Sequence, residues 1–345
     1  MNTKIYQLTG DPVKDDIMLM FAARKIASGQ TVALPTETVY GLGASIYFEQ
    51  AIKNIFIAKG RPQDNPLIVH VDTIEMAKTL TTDFNEQALA LANKFWPGPL
   101  SIILPKSGIV SDAVSGGLDT VAIRMPGNEV ARKLISYSGH PVAAPSANLS
   151  GSPSPTKAQH VIDDLDGRVD AIVCSDNCVV GVESTVVSLA GEKPILLRPG
   201  AVTLEDLQSV LGEVLVSSAI TNQLKDGEVA QSPGMKYKHY APTADVKLVD
   251  GSDEAYKNFV NEHAGEGVFA LCFAEDVPNL KVPCVVYGLE GEPDTQASGL
   301  FAALRELDEK GAVTVYAHCP KQDGVSLAVY NRLIRAAAFE VIKLV

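Results

Sequence analysis

Short apolar runs alternate with amphipathic stretches over roughly the first 200 residues. Apolar runs bounded by turn-forming residues predict strands, and apolar positions that recur every three or four residues predict helices. The predicted strands are 5–8, 31–34, 67–71, 100–104, 121–124, 141–144, 171–174, 186–189 and 195–198. The predicted helices are 16–28, 51–58, 85–95 and 204–211. This alternation predicts an α/β fold in which helices flank a twisted sheet of mixed and parallel strands.

A second alternation begins at Val246, after a stretch that loses periodicity and gathers glycine and proline as linkers do. Its predicted strands are 246–249, 268–273, 282–287 and 313–317, and its predicted helices are 254–263, 297–310 and 325–342. Such a β/α alternation over roughly 100 residues predicts a small doubly wound domain. The sequence therefore predicts a first domain over 1–215, a linker over 216–243 and a second domain over 244–345.

Composition and charge narrow the function classes. A chain of 345 residues exceeds what one core usually serves, which again favours two domains. No apolar run approaches the length of a membrane span, and the first residues lack a secretory signal, so we expect a cytoplasmic protein with no membrane role. The net charge of −12 disfavours broad attraction to nucleic acid or acidic lipid. Any anion that this protein binds must therefore meet a local basic pocket.

Polar segments follow several predicted strands, where open α/β sheets place their ligands. The first segment is PTETVYGLG, residues 35–43, directly after strand 31–34. The hydroxyls of Thr36 and Thr38 either line a pocket, or the segment is a tight strand-to-helix connection with Thr36 as the helix N-cap. Gly41 and Gly43 permit backbone shapes or close approaches that a Cβ atom would obstruct.

The second segment runs from Ala58 to His70 and contains KGRPQDNP. Lys59 and Arg61 either complement the dipole of the preceding helix or form a phosphate clamp, since Arg offers a planar fork and Lys a point charge. His70 ends an apolar run and is either a structural side chain or a ligand. Both questions stay open on the residues alone.

The remaining candidates also lie near strand ends. Arg124 closes a hydrophobic strand, so its guanidinium needs a carboxylate, which is either a ligand's or an internal Asp or Glu. Ser146 and Asn148 lie on a turn that leads to Gly151 and either bind an anion or cap the chain. Arg198 is a further candidate cation, after the polar segment GVEST at 181–185.

Familiar nucleotide and hydrolase motifs are absent from the sequence. It contains no G-x-x-x-x-G-K-[ST] phosphate loop, no G-x-G-x-x-G after a strand, no G-x-S-x-G elbow and no H-E-x-x-H. The linker segment SPGMKYKHYAP, residues 232–242, is rich in aromatic and basic residues, which is unusual for a passive spacer. It is either a lid over a site or an interdomain strap.

Taken in order, PTETVYGLG, KGRPQDNPLIVH, the Lys59 and Arg61 pair with Ser146 and Asn148, GVEST and SPGMKYKHYAP resemble the threonylcarbamoyl-AMP synthase family. The first domain resembles its YrdC-type domain, and the second resembles the small Rossmann-like domain of its longer members. The resemblance implies a nucleotidyltransferase that converts L-threonine, bicarbonate and ATP to threonylcarbamoyl-AMP and diphosphate. It also implies Mg²⁺ with the ATP, and a tRNA threonylcarbamoyl transferase that uses the product beside the anticodon.

The resemblance also assigns site residues. The threonine side is expected to comprise Thr38, His70, Arg124 and Ser184. The ATP side is expected to comprise Arg61, Asn65, Thr120, Ala144, Ser146, Asn148, Ser154, Arg198 and Tyr237. Lys59 and Arg61 are expected to act on the phosphates as the catalytic cations, and no side chain is expected to ligate a metal.

Two other readings compete with this one. A carbamoyl-adenylate-forming protein of hydrogenase maturation shares the YrdC-type domain, but it also carries zinc-finger segments, and paired C-x-x-C motifs are absent here. An RNA-binding module is the second alternative. The net charge of −12 opposes strong nonspecific binding of this kind, although a weak contact with tRNA is compatible with it.

Overall fold

The strands of this chain form two separate sheets. A computed structural model describes residues 2–222 and 240–344. Over these residues, one sheet has eleven strands and the other has five, with all five in parallel. The expected α/β fold with a mixed sheet and a second, smaller parallel sheet is confirmed. Within the described residues, no helix has the length and apolar character that crossing a bilayer requires.

The larger sheet mixes parallel and antiparallel pairs. Its strands are β1 (Lys4–Gln7), β2 (Val32–Leu34), β3 (Gly41–Ser45), β4 (Ile68–His70), β5 (Leu100–Pro105), β6 (Thr120–Arg124), β7 (Val142–Ala143), β8 (Ala171–Cys174), β9 (Thr185–Ser188), β10 (Ile195–Arg198) and β11 (Leu215–Val216). Their spatial order is β1-β8-β2-β3-β7-β4-β6-β5-β9-β10-β11. The central strands β4 and β7 are buried along their whole length.

In the described part of the chain, eight α-helices belong with this sheet. They are α1 (Pro12–Ala27), α2 (Glu49–Lys59), α3 (Ile74–Thr79), α4 (Glu86–Phe95), α5 (Asp112–Ser115), α6 (Glu129–Ser138), α7 (Ala158–Leu165) and α8 (Leu204–Leu211). Helix α1 begins four residues earlier than predicted, because the Asp11 carboxylate accepts hydrogen bonds from the first turn and Pro12 fits the first helical position. Helices α3, α5, α6 and α7 were not predicted.

The segment after β2 is a strand and not the start of a helix. Strands β2 and β3 pair antiparallel, so the alternative in which Thr36 caps a helix is wrong. The Thr36 hydroxyl instead accepts the Thr38 and Val39 N–H groups and donates to the Val39 carbonyl within the turn. A Cβ atom on Gly43 would lie 2.7 Å from Leu34 and 2.8 Å from Val142, so only glycine allows these strands to pack.

The smaller sheet has the order β14-β13-β15-β12-β16. Its strands are β12 (Asp245–Asp250), β13 (Val268–Phe273), β14 (Cys284–Gly288), β15 (Thr314–His318) and β16 (Val341–Lys343), and its helices are α9 (Asp253–Glu262), α10 (Pro293–Glu309) and α11 (Ser326–Ala336). The predicted helix 325–342 is wrong over its last third, because α11 ends at Ala336. The chain reverses at Ala338 and Phe339, which have positive φ, so that β16 can pair with β12.

The domain built on the larger sheet is in direct contact with the domain built on the smaller sheet. Arg305 of α10 binds both oxygens of Asp164 of α7, at 3.1 and 2.7 Å. On α11, Asn331 donates to the Ile220 carbonyl and Arg335 to the Ala219 carbonyl. A buried apolar cluster contains Val39 and Val182 of the larger domain together with core residues of the smaller domain. These contacts place α11 directly behind the cavity described next.

Candidate active site

Residues from several of the polar segments identified in the sequence line one cavity. It encloses about 730 Å³ including its open mouth. Its walls come from the turn between β2 and β3, the end of α2, strand ends of the larger sheet and the loop after β7. The cavity therefore lies where several strand ends and turns of the larger sheet meet, as expected for an α/β ligand site.

Arg124 at the end of β6 is held by an internal acid. Its guanidinium lies 2.7 Å from the Glu37 carboxylate and donates to Thr38 Oγ1 and to the Gly98 carbonyl. Burial tends to raise the pKa of Glu37, but Arg124 and the Gly127 N–H hold it below its usual value. Of the two partners left open by the sequence, the internal carboxylate is the one present here.

His70 lies beside Arg124 on the neighbouring parallel strand, since the register of β4 and β6 pairs these two residues. Burial, assisted by the charge of Arg124, lowers the pKa of His70 to about 3. Among the described residues, its Nδ1 atom has no hydrogen-bond partner. His70 therefore offers a neutral imidazole with an unused ring nitrogen at the cavity wall.

Lys59 ties α2 to the loop after β7. Its ammonium donates to the backbone carbonyls of Ser146 and Asn148, the former at 2.6 Å. Burial and the nearby charge of Arg61 lower its pKa well below the ordinary value. The Ser146 hydroxyl donates to Asn148 Oδ1, so lysine, serine and asparagine form one hydrogen-bonded unit. In this arrangement Lys59 shapes the loop, and a phosphate would have to share or replace one of its acceptors.

Arg198 and Ser184 form a second wall of the cavity. Arg198 donates to the Ser184 carbonyl at 3.0 Å and to its hydroxyl at 3.1 Å. The same hydroxyl lies 2.8 Å from that of Ser101. Burial, with a contribution from Arg332, lowers the pKa of Arg198 to about 10, so it remains a cation at neutral pH. This wall presents a positive charge that the backbone holds in place.

Glu183 lies next to Ser184 in this wall and is engaged on both oxygens. Ser154 donates to one oxygen at 2.6 Å, and Arg332 of α11 donates to the other at 3.0 Å. Burial tends to raise the pKa of Glu183, but the guanidinium groups of Arg332 and Arg198 hold it below its usual value. The smaller domain thus contributes a charged partner to the wall of this cavity.

Most of the residues assigned from the sequence line this cavity. They are Thr38, Lys59, Arg61, His70, Arg124, Ala144, Ser146, Asn148, Ser184 and Arg198. Three others lie elsewhere: Ser154 is buried behind Glu183, Asn65 is buried with an unpaired Oδ1 atom among the described residues, and Thr120 lines a second, smaller cavity with Pro66. Tyr237 lies outside the described residues.

Sequence reasoning missed several residues at this site. Glu37 and Glu183 lie inside quoted motifs, yet neither was named as the partner of a buried arginine. Tyr240 lines the cavity and packs against Phe301 of α10, with ring centroids 5.1 Å apart. Arg332 has a signal in the sequence, because it interrupts the apolar positions of α11, and a charge there requires a buried partner.

Two family models match successive parts of this chain, and together they cover most of its length. A family model for the Sua5, YciO and YrdC proteins, described as "Telomere recombination", matches residues 24–200. A second, described as "Threonylcarbamoyl-AMP synthase, C-terminal domain", matches residues 202–338. The threonylcarbamoyl-AMP synthase of Bacillus subtilis is 44% identical, over 99% of this chain and 100% of that one. That of Pyrococcus abyssi is 43% identical, over 94% and 95% respectively.

A solved structure matches the whole fold. It is that of Pyrococcus abyssi Sua5 complexed with L-threonine, which aligns with a TM-score of 0.91 and 40% identity. The alignment covers 100% of both chains. Both sheets and their arrangement are therefore common to the two proteins.

Proposed function

The chain belongs to the threonylcarbamoyl-AMP synthase family, and from that premise we propose that its cavity joins L-threonine, bicarbonate and ATP into threonylcarbamoyl-AMP, with release of diphosphate. One observation carries the proposal. The cations Lys59, Arg61, Arg124 and Arg198, with the neutral His70, line a single cavity. A triphosphate and an amino-acid carboxylate together need several converging cations, which this acidic protein supplies at this place.

Threonine is assigned to Thr38, His70, Arg124 and Ser184, all of which line the cavity. Arg124 is the group best suited to the carboxylate, because its planar fork is already oriented by Glu37 and Thr38. The unused Nδ1 of His70 is available to accept a hydrogen bond from the substrate's amine or hydroxyl. The P. abyssi relative, whose structure contains L-threonine, supports this substrate.

ATP is assigned to Arg61, Ala144, Ser146, Asn148 and Arg198, and Arg198 shares its wall with Ser184. The loop held by Lys59 supplies a hydroxyl and backbone groups, and Arg61 and Arg198 supply positive charge. Asn65, Thr120 and Ser154 do not line this cavity, so any role for them on the nucleotide side is indirect, as for Ser154, which donates to Glu183. The role of Tyr237 on the nucleotide side stays a prediction.

The chemistry requires little covalent work from the protein. The amine of threonine condenses with bicarbonate to a carbamate and loses water, and a carbamate oxygen then attacks the α-phosphorus of ATP as diphosphate leaves. The AMP moiety moves to the carbamate, which makes the enzyme a nucleotidyltransferase. Positioning and charge stabilisation by the cations therefore supply most of the acceleration. The mixed anhydride is then passed to a transferase that modifies tRNA beside the anticodon, and a weak contact with tRNA belongs to this proposal.

Mg²⁺ enters this scheme with the nucleotide. Among the described residues, Glu183 is the one carboxylate that lines the cavity, and both of its oxygens are already engaged by Ser154 and Arg332. The residues therefore fit an ion held by phosphate oxygens and water, and not an ion held by a protein carboxylate. When bound, Mg²⁺ offsets negative charge on the leaving diphosphate.

The test is diphosphate release by the purified full-length protein. We expect release that depends on threonine and on bicarbonate together, with formation of threonylcarbamoyl-AMP, and background release when either is omitted. Serine at the same concentration is the matched substrate control. Binding of tRNA without threonine-dependent diphosphate release would favour the RNA-binding alternative and contradict the proposal.

A further inference from the structure

Arg332 of α11 crosses from the smaller domain into the back wall of the cavity. Its side chain is completely buried. It donates to the Glu183 carboxylate at 3.0 Å, to the Glu183 backbone carbonyl at 3.1 Å and to the Pro199 carbonyl. Both backbone partners are immediate neighbours of cavity residues, since Pro199 follows Arg198 and Glu183 precedes Ser184. One side chain thus contacts both strand ends that form this wall.

The charge of Glu183 makes this contact important for an anionic ligand. Glu183 lines the same cavity as Arg198. Each of the two groups shifts the pKa of the other toward its charged form. An uncompensated carboxylate at this wall would repel a triphosphate and would also attract the guanidinium of Arg198. Arg332 compensates that carboxylate from the side that faces away from the cavity.

We infer that Arg332 is a positioning residue for nucleotide binding: by neutralising Glu183 from behind, it keeps the Ser184 and Arg198 wall receptive to the phosphates of ATP. The inference deepens the proposed function and rests on it for the identity of the ligand. It gives the smaller domain a specific role inside the active site, because the arginine reaches Glu183 from a helix 149 residues further along the chain.

A purely structural role would be a poor explanation for this ion pair. Buried ion pairs contribute little net stability compared with apolar side chains of similar size, whereas loss of one partner leaves a costly unpaired charge. The interface also has another ion pair, Arg305 with Asp164, whose side chains are not part of the cavity wall. Arg305 therefore provides a matched control for the loss of an interdomain arginine.

The experiment compares four full-length variants with the wild type: Arg332→Met, Arg332→Lys, the double variant Arg332→Met/Glu183→Gln, and the control Arg305→Met. The KM for ATP, the KM for threonine and kcat are measured from diphosphate release. Binding of Mg·ATP without threonine is measured by calorimetry. The thermal unfolding midpoint of each variant shows how much of any loss is due to instability.

Arg332→Met is expected to weaken ATP binding by about tenfold or more and to change the KM for threonine by less than about threefold, because a like charge then faces the phosphates. Arg332→Lys keeps the charge and is expected to fall between it and the wild type. The double variant is expected to recover ATP binding to within about threefold of the wild type, since no carboxylate remains to be neutralised. The control is expected to lower the unfolding midpoint without selective loss of ATP affinity.

Three results would overturn the inference. The first is a double variant as weak toward ATP as Arg332→Met alone, which would indicate a packing role. The second is an equal loss of affinity for ATP and threonine in Arg332→Met, and the third is the same selective loss of ATP affinity in Arg305→Met. Failure of the proposed function looks different, because the wild type itself would then release no threonine-dependent diphosphate, while the calorimetric comparison of ATP binding would still decide the role of Arg332.

Discussion

Arg124 shows how a buried cation is kept ready for a ligand. Glu37 and Thr38 hold its guanidinium, and the parallel register places His70 next to it. The sequence indicated that a cation ends this strand, because Arg124 follows the apolar residues 121–123. It did not indicate the partner, since Glu37 lies 87 positions away and only the pairing of distant strands brings the two together.

Arg124→Ala is expected to weaken threonine binding far more than ATP binding. Removing one partner of a buried charged pair typically costs about 2–5 kcal/mol, which corresponds to a rise of about 30-fold or more in the KM for threonine. The KM for ATP is expected to change by less than about threefold. Steady-state diphosphate release measures both, with the exposed Arg168→Ala as the control. Equal losses for the two substrates would refute the assignment of Arg124 to the threonine carboxylate.

Elements with a strong local pattern were predicted well, and those fixed by packing were not. Strands β8 and β13 were predicted at their observed bounds because each is a continuous apolar run. Strand β3 was missed because most of its residues are small and give no apolar strand pattern. Its Gly43 is required by the close contact with Leu34 and Val142. The end of α11 was missed because alanine favours a helix, whereas pairing of β16 with β12 requires the chain to turn.

Gly181→Ala is expected to loosen the contact between the larger domain and α10 of the smaller domain. A Cβ atom there would lie 2.4 Å from Ser298 Cα, and Gly181 has a φ of +78°. Gly139, at the end of α6, is a matched control, since its φ is +67° but the space around it is open. Gly139→Ala is expected to cost about 1–2 kcal/mol for the left-handed backbone alone.

The variant at Gly181 is expected to lose about 1–3 kcal/mol more than the control, because backbone atoms of α10 must also move. Urea denaturation of the two variants and the wild type measures the difference in free energy of unfolding. If both variants lost the same stability, the close approach of α10 at this glycine would not be tight.

At the scale of the whole molecule, the site depends on contacts that no local pattern reveals. The motifs identified most of the side chains that line the cavity, because each lies in a short polar segment after a strand or helix. The net charge of −12 describes the molecule as a whole, while the cations converge locally. The interface arginines of α10 and α11 were not predicted as partners of the first domain, since Asp164, Ala219 and Glu183 become their neighbours only when the two domains dock.

Deleting residues 232–345 is expected to reduce the yield of threonylcarbamoyl-AMP strongly. Two physical changes are expected to lower the yield. The truncation removes Arg332, so Glu183 loses its partner in the cavity wall, and it uncovers Val39 and Val182 to water. It also removes the segment that contains Tyr237, which we predict to act as a lid that protects the adenylate from water.

The yield is measured per mole of soluble, folded protein, so that loss of solubility is not counted as loss of chemistry. Circular dichroism confirms the fold of the truncated chain, and a full-length Tyr237→Ala variant separates the lid from the docking contacts. We expect the truncated protein to fall at least about tenfold below the wild type, since Glu183 then places an uncompensated negative charge beside the phosphates. An unchanged yield would refute both the lid and the contribution of α11, because neither would then act on the reaction.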